Sequence, residues 1–205
     1  MELLELIDTY NYTPEDCAVV TLGTDGLDPG FSSILCVSVL PIVGQPKPTT
    51  VYVEGGDMWS SEQYTGINEV TYTQEAVSAP LARKRVKEAL KEYPIIIGHN
   101  CLGFTKTFLT NFCEDLRYKT YLDTLIMARR MYDSTPGTVK ASNSLAAWQT
   151  NIKGRIYDKS HSWRLEDLCQ FSPGDYYNNP EVAAIRTKSL FIYLLGRPVP
   201  TPNSF

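Results

Sequence analysis

Cysteine and histidine are scarce in this sequence, and their spacing excludes the common zinc sites. Five cysteines and two histidines are scattered through 205 residues, and no Cys-x-x-Cys pair occurs. Structural zinc sites need four such ligands at short, regular spacings. An odd number of dispersed cysteines instead indicates buried free thiols in a reducing compartment. We therefore expect a cytoplasmic protein without a metal site built from these residues.

Long apolar runs and an excess of positive charge are also absent. No uncharged apolar run reaches the roughly 18 residues of a transmembrane helix, and acidic residues interrupt the N-terminal leucines where a signal peptide is apolar. We expect no membrane contact. Lys and Arg number 19 against 23 Asp and Glu, which gives a net charge of −4. This balance excludes nucleic-acid binding through overall positive charge, although not through a local basic patch.

What the sequence does contain is the apolar patterning of a mixed α/β domain. Short β-branched runs predict strands over 17–22, 33–43, 49–54 and 94–98. Helical spacing predicts helices over 79–93, 100–115, 125–132 and 181–195. The first three strands follow one another through short turns, so they predict an antiparallel start to a mixed sheet covered by helices. We expect one domain over 1–196, with 133–162 as an insertion or extended connection and 197–205 as a proline-rich tail.

Four segments carry recognisable strings in a fixed order. Residues 19–29 read VVTLGTDGLDP, residues 97–109 read IGHNCLGFTKTFL, residues 122–129 read LDTLIMAR, and a Leu-Glu-Asp-Leu helix precedes the last helix within 163–195. Together they resemble the proofreading-type, DEDD-type 3′–5′ exonucleases of the RNase H-like superfamily. The family motifs are Asp-x-Glu with Thr-Thr-Gly-Leu, Gly-His-Asn with an aromatic-Asp pair, and Asp-Thr-Leu. The resemblance implies an RNase H-like, exonuclease-type mixed sheet.

The resemblance also implies where metal-binding carboxylates belong. In such enzymes four acidic residues hold two divalent ions about 4 Å apart for an in-line phosphoryl displacement, and hard ions need oxygen ligands. Aligned position by position, the four carboxylates fall on Thr21, Gly23, Thr105 and Ala183, and the water-activating His falls on Asn178. None of these residues is acidic or a histidine. We therefore predict a vestigial catalytic centre that needs no cofactor.

Two alternatives remain open. An active 3′–5′ exonuclease dependent on Mg²⁺ or Mn²⁺ requires displaced ligands, for which Asp25, Asp28 and Glu181 are the candidates. A metal-free binder of single-stranded nucleic acid requires only the groove. Its candidate lining residues are Thr21, Thr24, His99, Asn100, Phe104 and Thr105.

Several binding candidates also have an ordinary structural interpretation, which we favour. Asn100 is expected to cap the following helix, and His99 to complete a hydrogen bond at a strand end. Asp123 is expected to be the N-cap of the next helix rather than a metal ligand. The basic residues Arg83, Lys84 and Lys87 suit phosphate contacts, but acidic residues alternate with them as on a solvated helix face.

The leading hypothesis is therefore a pseudoenzyme. The chain is expected to be a catalytically inactive exonuclease-like domain that acts as a scaffold, regulator or inhibitor in nucleic-acid processing such as DNA replication. Its expected partner is another protein of that assembly, with single-stranded nucleic acid as the alternative.

Overall fold

The computed structural model describes residues 12–44, 47–132, 165–168 and 179–196, and every structural statement below concerns these residues. The strands are β1 (Cys17–Thr24), β2 (Ile34–Pro41), β3 (Thr49–Tyr52), β4 (Ile95–Gly98) and β5 (Thr120–Asp123). The α-helices are α1 (Met58–Thr65), α2 (Glu69–Glu75), α3 (Ala79–Ala89), α4 (Lys106–Phe112), α5 (Thr124–Tyr132), α6 (Leu165–Leu168) and α7 (Pro180–Leu195). The predicted connection 133–162, the tail 197–205 and Asn178 lie outside the described residues.

The five strands form one mixed sheet in the order β3-β2-β1-β4-β5. β2 runs antiparallel to both β1 and β3, whereas β4 runs parallel to β1 and to β5. The direction changes where the connections lengthen, because short turns join antiparallel strands and a helical crossover is needed between parallel ones. The predicted α/β class and antiparallel start are therefore confirmed.

Helices cover both faces of the sheet, and each face has its own apolar core. Val19, on β1, packs in the cluster that α5 and α7 complete with Met127 and Phe191. Its neighbours Ala18 and Val20 point to the opposite face, as successive strand residues do. There they join the cluster that contains side chains of α3 and α4. β1 is thus buried on both sides at the centre of the domain.

The structure corrects two predicted helices. The helix predicted over 79–93 ends at Ala89, ahead of Pro94. The helix predicted over 100–115 is instead a π-helical turn (Cys101–Thr105), then α4, then a 3₁₀ helix (Glu114–Tyr118). The π turn closes i→i+5 and so accommodates one more residue than an α-turn. α1 and α2 were not predicted at all, because neither has a clear apolar stripe.

The four described cysteines are free thiols buried in the core, as predicted: Cys17, Cys36, Cys101 and Cys113. Burial raises the pKa of Cys17 and of Cys36 to about 12, so both are protonated and unreactive at neutral pH. None of the described helices has the length and apolar character needed to span a bilayer.

Thr187 offers a test of this packing. Its side chain is fully buried on α7, and within the described part of the chain its hydroxyl has no hydrogen-bond partner. Because an unsatisfied buried hydroxyl is costly, Thr187→Val should raise the free energy of unfolding by about 1 kcal/mol. Thr65→Val is the matched control, since the Thr65 hydroxyl donates to the Ser61 carbonyl at 3.0 Å. Urea denaturation should show the control destabilised, and equal effects of the two changes would contradict this reading of Thr187.

Candidate functional site

Two of the positions that the resemblance assigns to metal ligands, Thr21 and Gly23, lie where α7 crosses β1. Parallel strands β1, β4 and β5 end at the same edge of the sheet, so the residues that follow β4 and β5 lie near the end of β1. The first turn of α7 packs over this region through Pro180. This corner, comprising the end of β1 and the start of α7, is the candidate site.

Thr21 stands at the first of these positions, and its hydroxyl is already engaged. The residue is buried at 9% exposure. Its Oγ1 donates a hydrogen bond of 2.5 Å to the backbone carbonyl of Pro180. The hydroxyl therefore fastens β1 to the first turn of α7 instead of facing an open cleft.

Gly23 stands at the second position, which neighbouring side chains approach closely. A Cβ built on Gly23 would lie 2.6 Å from Ile67 Cδ1, 3.0 Å from Cys36 Sγ and 3.1 Å from Pro180 Cγ. These separations are below ordinary van der Waals contact. Ile67 is itself buried, in a small cluster with Leu35, Cys36 and Met58. The space that a glutamate would need is filled by apolar atoms.

Asn179 holds in place the two segments that bring Pro180 and Ile67 against Gly23. Its Oδ1 accepts the backbone N–H groups of Glu181 at 3.0 Å and Val182 at 3.2 Å, which caps α7. Its Nδ2 donates to the Gly66 carbonyl at 3.0 Å. One side chain thus ties the start of α7 to the α1–α2 loop that carries Ile67. Sequence reasoning missed this role, although Asn-Pro-Glu is a recognisable start of a helix.

Glu181 is directed toward the β3 side of the sheet. Its Oε1 accepts a hydrogen bond of 2.8 Å from Thr50 Oγ1, which lies 2.9 Å from Ser38 Oγ. Ser38 pairs with Thr21 on one side and Thr50 on the other, so the three hydroxyl residues form a row across β1, β2 and β3. The carboxylate of Glu181 ends this row.

Asp25 and Asp28 organise the loop after β1. Asp25 accepts the backbone N–H of Ser33 through Oδ1 at 2.7 Å and that of Asp57 through Oδ2 at 3.0 Å. Asp28 Oδ1 accepts the N–H of Gly30 at 2.8 Å within a turn. Thr24 contributes to the same loop by donating from Oγ1 to the Gly26 carbonyl at 2.7 Å. Each of these side chains has a local structural partner.

The two remaining described ligand positions are packed into the protein. Thr105 ends the π turn and is 4% exposed. Ala183 packs against the apolar cluster beneath α7. Phe104, beside Thr105, stacks at a tilt on Phe108 with ring centroids 4.7 Å apart. Neither Thr105 nor Ala183 brings a carboxylate toward the end of β1.

Asp123 is the N-cap of α5, as predicted. It is 1% exposed, and its Oδ1 and Oδ2 each accept a backbone N–H at 3.0 Å, from Leu125 and Leu102 respectively. Burial raises the pKa of the Asp123 carboxyl, and the backbone donors oppose that shift. The residue therefore joins the start of α5 to the π turn.

His99 and Asn100 have different outcomes. His99 Nδ1 lies 3.0 Å from Thr124 Oγ1, which confirms the predicted hydrogen bond at a strand end. The predicted helix cap at Asn100 is wrong, because its side chain makes no capping hydrogen bond. Asn100 instead takes a left-handed backbone conformation, with φ of 54°, at the turn from β4 into the π turn. Asparagine tolerates this conformation better than most residues.

Two of the four basic residues of α3 have partners within the protein. The Arg83 guanidinium lies over the Phe112 ring, 5.3 Å from its centroid. Lys87 forms an ion pair of 2.5 Å with Asp115, which raises the pKa of Lys87 and lowers that of Asp115. Lys84 is exposed. Of the three predicted phosphate-contact residues, two thus have partners in this fold.

A pair of divalent ions does not fit the described residues at the candidate site. Thr21, Gly23, Thr105 and Ala183 offer two hydroxyls and no carboxylate, whereas such ions are held by several carboxylate oxygens. Across the described ranges, no three His, Cys, Asp or Glu side chains come together in a metal-binding arrangement.

Comparison with known proteins identifies the fold. No family model matches the sequence, and no curated protein matches it. Solved structures do match, beginning with E. coli exonuclease I in complex with a dA16 oligonucleotide at 14% identity and a TM-score of 0.62. That match covers 88% of this chain and 41% of the other.

Two further structures give the same result. A product-bound exonuclease I matches at 13% identity and a TM-score of 0.60, covering 88% of this chain and 43% of that one. An ExoI/SSB-Ct complex matches at 14% identity and a TM-score of 0.56, and the match covers 87% of this chain and 42% of that one. The chain spans about two-fifths of the length of these proteins. With its mixed five-stranded sheet, the chain therefore has the RNase H-like fold of the exonuclease I structures.

Proposed function

We propose that the protein is a catalytically inactive exonuclease-like domain that acts by binding, as a scaffold, regulator or inhibitor in nucleic-acid processing. The observation that carries the proposal is the filled space at Gly23, where a Cβ would lie 2.6 Å from Ile67 Cδ1. A carboxylate on β1 is central to two-metal phosphoryl transfer, because the ions need anionic oxygen ligands. With position 23 filled and Thr21 bonded to Pro180, the domain works without a cofactor.

The partner we propose is another protein. The matching structures include exonuclease I with an oligonucleotide and with SSB-Ct, so both classes of partner are bound by proteins that contain this fold. Two features favour a protein here. The net charge is −4, and the basic side chains Arg83 and Lys87 already have partners within the domain. These features also weigh against a metal-free binder of single-stranded nucleic acid.

The alternative of an active exonuclease needs Asp25, Asp28 and Glu181 to converge on an ion. Asp25 and Asp28 hold backbone N–H groups of the loop after β1, and Glu181 accepts from Thr50 on β3. Drawing them together would break each of these hydrogen bonds. The separate engagement of the three carboxylates weighs against this alternative.

A nuclease assay tests the proposal. The full chain is incubated with 3′-labelled and 5′-labelled single-stranded DNA and RNA in Mg²⁺ or Mn²⁺. We expect no shortening above a buffer control, because the site lacks the carboxylates that hold the ions. Glu181→Ala should behave like the wild type.

The variant guards against a contaminating nuclease. Metal-dependent shortening from the 3′ end that is lost in Glu181→Ala would overturn the proposal, since it would place catalysis at the start of α7. Shortening that is unchanged in the variant would instead trace to contamination, and a repurified sample should then be inactive.

A further inference from the structure

Charge is divided very unevenly along the chain. Residues 1–82 contain twelve Asp and Glu but a single basic residue, Lys47, which gives a net charge of −11. Residues 83–205 contain 18 Lys and Arg against 11 Asp and Glu, a net charge of +7. Surfaces built from the first segment are therefore acidic, even though the whole chain carries only −4.

One such surface lies directly after β1, on a loop that is held firmly. Asp25 binds the N–H groups of Ser33 and Asp57, and the Asp28 carbonyl accepts from Phe31 at 3.1 Å and from Ser32 at 2.7 Å. From α4, Asn111 Nδ2 donates to the carbonyl of Pro29 at 3.2 Å. These bonds anchor the loop to its neighbours on both sides.

This loop displays two large apolar side chains. Phe31 is 93% exposed and Leu27 is 84% exposed, more than any other large apolar residue in the described chain. Apolar side chains presented on an ordered loop are typical of a binding surface, because little conformational entropy remains to be lost on association. We call Leu27, Asp28, Phe31, Glu54 and Asp57 the acidic loop face.

A cavity of about 250 Å³ adjoins the acidic loop face. Pro29 and Ser32 line it from the loop, Glu54 also lines it, and Val53 and Phe108 contribute apolar lining. Among the described residues that line this cavity, Arg83 is the only basic one. The cavity is of a size to take one apolar side chain from a partner.

We infer that the acidic loop face docks a basic polypeptide segment in which apolar side chains alternate with Lys or Arg. The apolar side chains would cover Phe31 and Leu27 and enter the cavity, and the basic ones would approach Asp28, Glu54 and Asp57. This inference rests on the proposed binding function and names the chemistry of the partner.

The negative charge of the acidic loop face favours a basic polypeptide over a nucleic acid or a second copy of this chain. Phosphates of a nucleic acid would be repelled by the carboxylates of the acidic loop face. A second copy would bring the same acidic face against itself in a two-fold contact, which is unfavourable for like charges. A basic, apolar segment satisfies both the exposed apolar area and the charge.

The test begins with selection from a displayed library of random peptides on the immobilised full chain. We expect the enriched peptides to combine Leu, Ile, Phe or Trp with flanking Lys or Arg. A labelled peptide with the enriched consensus is then titrated against the chain by fluorescence anisotropy. Phe31→Ala should weaken binding by about tenfold or more, as for a central aromatic contact. Glu54→Lys and added salt should each weaken it as well.

Matched controls lie at the opposite ends of the strands from the acidic loop face. Tyr118→Ala removes an aromatic residue that is 77% exposed, and Glu92→Lys reverses an exposed charge. Glu92 precedes β4 and Tyr118 precedes β5, whereas Leu27, Asp28 and Phe31 of the acidic loop face follow β1, which runs in the same direction. Neither control should change the affinity. Circular dichroism should show all four variants folded, because the changed side chains are exposed.

Several results would overturn the inference. These are the absence of enriched peptides, the enrichment of acidic ones, or a consensus peptide that binds Phe31→Ala as tightly as the wild type. Binding of a single-stranded oligonucleotide, or self-association, that is lost in Phe31→Ala would assign the face to that occupant instead. If the peptide binds as expected while the chain degrades DNA, the docking inference stands and the proposed inactivity fails. If the peptide does not bind and the chain does not degrade DNA, the docking inference fails and the proposed inactivity stands.

Discussion

Gly23→Glu, which restores a carboxylate to β1, should lower the free energy of unfolding by about 3–5 kcal/mol, the range for an uncompensated buried charge. The new side chain would enter space occupied by Ile67, Cys36 and Pro180. Among the described residues, the three atoms closest to that space belong to uncharged side chains, which cannot pair with the charge. Guanidinium denaturation followed by circular dichroism measures the loss. We expect no gain of nuclease activity, because the other ligand positions remain without carboxylates.

Smaller substitutions separate the steric cause from the charge. Gly23→Ala should cost about 1–3 kcal/mol through overpacking. In an Ile67→Ala background the same change should cost less, by at least about 0.5 kcal/mol, because the atom nearest the new Cβ has been removed. Additive effects of the two changes would contradict the claim that Ile67 fills the glutamate position.

Asp123→Ala should lower the free energy of unfolding by about 3 kcal/mol. This sum combines the loss of a helix N-cap with an N–H left unsatisfied in the core. The backbone donors to Asp123 include the N–H groups of Leu102 and Leu125, so the change loosens the π turn and α5 together. Hydrogen exchange should show faster exchange of both amides. Faster exchange at Leu125 alone would mean that Asp123 serves only as a helix cap.

The pH dependence of this residue has a definite sign. Burial raises the pKa of Asp123 above its ordinary value of 3.8, so the folded state binds a proton more readily than the unfolded state. Its contribution to stability is therefore fully present below pH 3.8 and is lost as the pH rises through the folded-state pKa. Relative to Asp123→Asn, which does not titrate, the wild type should be more favoured in acid than at neutral pH. A constant difference across that range would contradict the raised pKa.

The sheet and its main helices were predictable because their signals are local. β1, β2 and β4 are short β-branched runs, and all three strands are buried. Asp123 followed by Thr124 marks the start of α5 through ordinary capping chemistry. The order of these elements was sufficient to predict a mixed sheet with an antiparallel start.

The contents of the site were less predictable because they depend on contacts between distant residues. Ile67 and Gly23 are separated by more than forty positions, and nothing in the sequence around Ile67 indicates that it reaches β1. Glu181 meets Thr50 across an even longer separation of 131 residues. The sequence could predict that carboxylates were missing from the ligand positions, but not what occupies the space in their place.

These features give one physical account of the domain. The corner between β1 and α7 is closed by apolar packing and by hydrogen bonds from Thr21 and Asn179. The loop that leaves β1 presents Leu27 and Phe31 among carboxylates. We propose that the exonuclease fold here serves as a support for that loop rather than as a framework for metal ions.

Titration of the full chain with Mn²⁺, followed by NMR line broadening of backbone amides, tests the central claim most directly. A bound paramagnetic ion broadens nearby signals selectively and saturably. The account predicts that the amides of Thr21, Gly23 and Thr105 broaden no more than those of exposed acidic residues elsewhere. Selective, saturable broadening of these three amides, reversed by excess Mg²⁺, would contradict it.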